Sequence, residues 1–395
     1  MADNQRKMQR EEKRLKKDRR NKIIIWTLIA AAVIILAVMR VCEININSVK
    51  EHFTDENGKL SISDGVGENS FPYSVDYTKN VILANVNNRL GVLTPSSFTV
   101  INSSNGSCEY TFEHGYANPV MKASGVYTLV FDQGSDSFRL DTTGGAVYEK
   151  KSESTLFCGD VSKNGCVAVA TASKTKRCDF LVYDNTMNLK FSESVSDGYA
   201  IAVALSDNGK KLAVAWVDSV NAGLSTTVTV YNVKSGEMEA EVKLPQGSMA
   251  DLRFSGKNIF VVGDSYAGVI KNDRYVDIYK IGEMQTVCFD YTPSDELVLV
   301  HNGFDNSTSN VVSIIKSSGK IKTEIKVSGN VKDVSAASSV VTVLTGNKLY
   351  SFASANGKEK SAIDCDESVN SICRLGSEVF CHRQTNIDRC DGDGN

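Results

Sequence analysis

Histidine, tryptophan and proline are scarce in this chain: four, two and five of them in 395 residues. None of the histidines sits in an H-E-x-x-H run or a comparable ligand spacing, so metal catalysis has no support in the sequence. No G-x-S-x-G elbow, Walker loop or dinucleotide fingerprint leads from a strand into a helix. A hydrolase triad could only be assembled in three dimensions, from His114 or His301 with a serine and an aspartate, and both partner types are too common for that to be informative. With Trp26 and Trp216 the only tryptophans, a channel built for a quinone or a sugar lacks the usual aromatic platforms, and Trp216 is expected at the end of an inner strand. The ten cysteines are too few for a disulfide scaffold in a chain this long. The last four, Cys365, Cys373, Cys381 and Cys390, are spaced by eight, eight and nine residues, whereas zinc ligands come in pairs two to four apart. We read the cysteines as small buried hydrophobes, with one disulfide among those four. The sequence thus points to no enzyme activity and no cofactor.

Charge is present but unevenly placed. Residues 1–22 carry ten Lys/Arg against four acids, a net of +6, while Val41 to Asn395 carries −10. Between Lys22 and Arg40 runs IIIWTLIAAAVIILAVM, seventeen residues from Ile23 through Trp26 to Met39 without a charge. At 1.5 Å per residue such a helix spans about 25 Å, the lower limit for crossing a bilayer, and Lys22 and Arg40 can reach the headgroups. The run is apolar all round, where a core helix would show a polar face. Basic residues next to a spanning segment stay in the cytoplasm. The expected layout is a basic cytoplasmic tail (1–22), a transmembrane signal-anchor helix (23–39), a spacer (40–70), an extracytoplasmic domain (71–390) and a short tail (391–395). No small-x-small cleavage site follows the apolar run. The basic tail clamps anionic lipid, and with no aromatic residue to stack a base it is not a nucleic-acid site.

From Phe71 onward, apolar runs rich in Val, Ile, Tyr and Phe are punctuated by Gly, Asn, Asp and Ser, the pattern of an all-β domain. A turn-plus-apolar-strand hairpin recurs eight times: DYTKNVILAN, KASGVYTLVF, VSKNGCVAVA, LSDNGKKLAVA, FSGKNIFVV, YTPSDELVLV, AASSVVTVLT and RLGSEVFCH. A second, more polar hairpin alternates with it seven times, as in VYNVKSGEMEAEV and IIKSSGKIKTEI. Turns such as Asn164-Gly165, Asn208-Gly209 and Asn356-Gly357 supply the positive φ that tight hairpins need. Each pair of hairpins makes a four-stranded unit, and units arranged radially bury their faces against each other as the blades of a β-propeller. Apolar strands such as Cys166–Ala170 and Leu212–Ala215 are expected nearest the axis. The eight-to-seven mismatch leaves the last unit short, and Leu60–Asp64 is the candidate strand to complete it. Eight blades is the preferred count and seven the alternative.

One loop is unusual for blade filler. His114, Tyr116 and Asn118, in HGYANPVMK, with Asp132, in FDQG, form the candidate functional loop, although a blade-junction turn is the favoured reading of them. The basic tail, the anchor, Phe71-Pro72, the stretch EHGYANPVMK…LVFDQGSDSF and the LSDNGKKLAVA-type hairpins together resemble a family of membrane-anchored bacterial proteins, mostly clostridial, catalogued only as a domain of unknown function. The resemblance implies a WD40-like or quinoprotein-like propeller and supplies no catalytic residues. The expected function is binding or scaffolding of a protein or cell-envelope partner. A cofactor-binding or glycan-active propeller is the alternative, to be recognised by acids and aromatics converging on the channel.

Overall fold

The computed structural model describes residues 71–390 apart from Asp197, 221–222 and 304–305. The tail, the anchor with Ile23, Trp26 and Met39, the spacer with Leu60–Asp64, and residues 391–395 lie outside the described residues. The 32 described strands, β1 to β32 in chain order, form eight antiparallel four-stranded sheets. Eight blades, the preferred count, is the observed one. Gly165, Gly209 and Gly357 have φ of 81°, 64° and 70°, as the hairpin turns require.

Seven blades use four consecutive strands. Their innermost strands are β2 (Ile82–Val86), β6 (Pro119–Ser124), β10 (Leu156–Val161), β14 (Tyr199–Leu205), β18 (Met249–Ser255), β22 (Gln285–Tyr291) and β26 (Val331–Ala337). The eighth blade joins β30 (Val369–Leu375), β31 (Glu378–Arg383) and β32 (Asn386–Arg389) to β1 (Tyr73–Ser74) from the other end of the chain. Closure by the two ends is thus observed: among the described residues the strand that completes the blade is Tyr73–Ser74, paired with Ile387 and Asn386, while Leu60–Asp64 lies outside them. Asn386–Arg389 supply the third strand of this blade, because the turn before it uses only Gln384 and Thr385.

The core is divided rather than central. Its buried side chains fall into eight apolar clusters, one at each interface between neighbouring blades. This division explains a correction to the expected strand placement. The most apolar strands are the second ones out: β11 (Val167–Ala172), β15 (Lys211–Val220), β19 (Asn258–Gly263) and β27 (Val340–Thr345), the last two buried at every residue. A second strand has a hydrogen-bonded neighbour on each edge and another blade over each face, so nothing polar is needed. An innermost strand has one open edge, and outer strands such as β5 (Cys108–Glu113) alternate half-buried with exposed residues. Trp216 accordingly lies in a second strand, its indole N–H donating to Thr229 Oγ1 at 2.9 Å, away from the axis.

The closing blade is fastened further. Val75 N donates to Thr385 O at 2.8 Å, and His382 Nε2 lies 3.1 Å from Tyr77 O. Arg389 reaches the carbonyls of Ser103 and Ser104 in the first blade and lies over the Phe71 ring, 5.0 Å from its centroid. Cys381 and Cys390 form a disulfide across a Cα separation of 6.1 Å, while Cys365 and Cys373 are free thiols. This is the one disulfide expected among the last four cysteines.

Closing a loop of this length removes chain entropy from the unfolded state worth about 2.5 kcal/mol. The Cys381→Ser, Cys390→Ser double variant should therefore unfold in denaturant with stability lowered by roughly 2–3 kcal/mol, and reduction of the wild type should reproduce the loss. Equal midpoints with and without the bond would show that closure rests on strand pairing alone.

Candidate functional site

The open edges of the innermost strands meet around the axis, where each leaves backbone N–H groups without a strand partner. At three blade junctions an acidic side chain of the preceding blade accepts one of them. Asp160 Oδ2 on β10 accepts Leu205 N of β14 at 2.7 Å; Asp290 Oδ2 on β22 accepts Ala336 N of β26 at 2.7 Å; and Asp333 Oδ2 on β26 accepts Ile372 N of β30 at 2.8 Å. Ser335 Oγ takes Arg374 N in the same sense at 2.9 Å. The other oxygens of Asp290 and Asp333 accept the N–H of Tyr291 and Val334, next in sequence to each. Burial pushes the carboxyls of Asp160, Asp290 and Asp333 up to about 6, against the lowering effect of these N–H bonds.

Ion pairs cross the channel. Lys122 Nζ on β6 reaches Asp251 Oδ1 on β18 at 3.3 Å, and Tyr291 donates its hydroxyl to Asp251 Oδ2 at 2.7 Å. Asp251 holds the Lys122 ammonium above its usual pKa despite burial, and burial with the Asp251 charge drives Tyr291 far upward. At one mouth, Lys163 bridges Asp207 at 2.8 Å and Asp295 at 3.4 Å, joining turns of the third, fourth and sixth blades. Strands of blades six to eight, one and two, together with Lys163 and Arg253, line a cavity of about 670 Å³ whose walls include Phe289, Asp290, Tyr291, Asp333 and Ser371.

The four residues of the candidate loop are brought together, at the junction of the first two blades. Asn118 N donates to Asp132 Oδ1 at 2.8 Å, and the His114 ring stacks on Tyr116 with centroids 4.8 Å apart. Burial lowers the His114 imidazole and pushes the Tyr116 phenol up to about 12. Pro119 begins β6, as its missing N–H allows. None of the four is among the lining residues of the cavity. His301 sits 3.0 Å from Ser313 Oγ, but Ser313 is fully buried and also bonded to Tyr279 OH at 2.7 Å, so this histidine–serine pair is a polar knot between blades with no route for a substrate. Among the described residues, no group of three or more His, Cys, Asp or Glu could hold a metal, and no helix is long and apolar enough to cross a membrane.

The channel residues were missed because those that meet at the axis come from strands far apart in the sequence. A signal existed: Cys158-Gly159-Asp160-Val161-Ser162 and Cys288-Phe289-Asp290-Tyr291-Thr292 repeat Cys-x-Asp-x-Ser/Thr at the same place in two blades.

A family model described as a family of unknown function, DUF5711, matches residues 74–389. The chain belongs to the DUF5711 family. No curated protein matches it. Among solved structures, the DUF5711 propeller is similar to the computationally designed Ika8 protein, at 12% identity and a TM-score of 0.58, over 81% of this chain and 98% of that one. It is also similar to the C-terminal WD40 domain of Sif2, at 10% identity and a TM-score of 0.56, over 83% of this chain and all of the other. Likeness at such identity establishes the propeller fold alone.

Asp290 tests the electrostatics of the channel. Its folded carboxyl, at about 6, lies above the ordinary 3.8, so the folded protein takes up the proton first as pH falls. Relative to Asp290→Asn, the wild type should gain roughly 2 kcal/mol of stability as pH is lowered from about 7.5 to about 4.5. Denaturant melts across that range check it, and a flat or shrinking difference would contradict the assignment.

Proposed function

We propose that this protein is a membrane-tethered, extracytoplasmic binding module whose propeller presents its half-open channel and loops to a cell-envelope or protein partner. The observation that carries the reading is the occupation of the channel acids. Asp160, Asp290 and Asp333 each accept a backbone N–H from the next blade, and Asp251 is held by Lys122 and Tyr291. A general acid or base must be free to exchange its proton with a substrate, and these are tied to the frame. The tether is supported by the charge-free run 23–39 with its basic flank.

A second reading, a glycan-active or cofactor-binding propeller, has one observation in its favour. Asp290 and Asp333 both line the cavity with carboxyls at about 6, and the Asp290 charge adds to burial in raising Asp333, within a space large enough for a small substrate. It accounts less well for the N–H bonds that both acids accept.

Expression of the full chain in bacterial cells tests the tether. The protein should resist alkaline carbonate extraction, and protease added to spheroplasts should cut the propeller while sparing an epitope placed before Met1. Release into the soluble fraction, or an epitope cut from outside with the propeller intact, would overturn the layout.

A further inference from the structure

Arg253 differs from the other cations around the channel. Lys122 is bound by Asp251 and Lys163 by Asp207 and Asp295, while Arg374 donates to Thr342 Oγ1 at 2.9 Å and Ser377 O at 3.0 Å. Arg253 makes no hydrogen bond among the described residues, and its nearest acid, Asp295, stands 3.8 Å away. Its guanidinium lies over the ring of Tyr291, 4.3 Å from the centroid, and Tyr291 is itself fixed by its bond to Asp251. A guanidinium backed by an aromatic ring keeps its N–H donors at the edge of the plane, the geometry that a planar carboxylate meets with two parallel bonds. Arg253 lines the cavity of about 670 Å³, within the usual range for a small-molecule site.

The remaining lining favours hydroxyls. Ser371 Oγ is buried without a partner among the described residues. Asp290 and Asp333 have no cation within ion-pair distance, and a carboxylate oxygen that already accepts one N–H has a lone pair to spare for an O–H donor. The same acids make the interior unfavourable for a multiply charged anion. Phe289 adds an apolar residue to the same lining.

We propose that the half-channel binds a small hydroxylated monocarboxylate, a sugar acid by chemical class, with its carboxylate on Arg253 and its hydroxyls toward Asp290, Asp333 and Ser371. This rests on the reading of the channel as a binding cavity. The test is ligand-observed NMR of the full chain in detergent, with glucuronate and with glucose as the partner that lacks the carboxylate. Wild type should bind glucuronate at least tenfold more tightly than glucose, Arg253→Gln should erase that preference, and Arg253→Lys, which keeps the charge but not the fork, should retain only part of it. Thermal melts of both variants establish that they are folded. Equal binding of the two sugars by wild type, or an unchanged preference in folded Arg253→Gln, would overturn the proposal. Failure to bind either sugar would also overturn it and leave the tethered binding module standing. Conversion of glucuronate to a new species, lost in Arg253→Gln, would sink the binding-module reading and uphold the docking of the carboxylate.

Discussion

Eight sheets arranged around an axis expose eight open strand edges to one narrow space, and an unpaired backbone N–H removed from water costs about as much as a lost hydrogen bond. That cost governs the centre of this molecule. The edge N–H groups of one blade are satisfied by Asp160, Asp290, Asp333 or Ser335 of the blade before it. Each bond ties two blades at the radius where the apolar clusters between them end. Polar residues thus stand where a central apolar core is commonly expected, and the apolar residues withdraw to the second strands.

The same arrangement makes the channel asymmetric. The Lys122–Asp251 pair crosses from the second blade to the fifth. Phe289 and Tyr291 of the sixth blade are among the residues that line the cavity. A cavity of defined chemistry is therefore a by-product of how the ring is fastened, and Arg253 is the cation that the fastening leaves over. Its nearest acid, Asp295, is shared with Lys163, which Asp207 holds more closely.

Much of the fold was legible in the sequence because hairpin signals are local. Asn164-Gly165 and Asn208-Gly209 mark turns by backbone geometry that other residues adopt at a cost, and the eight-to-seven count of hairpins required the ends of the chain to meet. Radial position was less legible, since apolar content reports coverage of faces and not distance from the axis; Leu212–Ala215 looked innermost because it is the most completely covered. The described strand that closes the ring gave no such signal. Tyr73–Ser74 is two residues long and carries no alternation, whereas Leu60–Asp64 has the pattern and lies outside the described residues. Site residues were hardest to see. His114, Tyr116, Asn118 and Asp132 drew notice as a cluster in sequence, while Lys122, Asp251, Arg253 and Asp290 become neighbours only when the ring closes.

The most direct test of the account is residue-resolved hydrogen exchange of the amides of Leu205, Ala336 and Ile372. These lie on open strand edges, where N–H groups ordinarily exchange fast. If aspartates of the neighbouring blade clasp them, their protection should match that of amides inside the strand ladders, and Asp290→Ala should release Ala336 while leaving Leu205 and Ile372 protected. Fast exchange at all three in the wild type, or protection of Ala336 that survives loss of the Asp290 carboxylate, would contradict it.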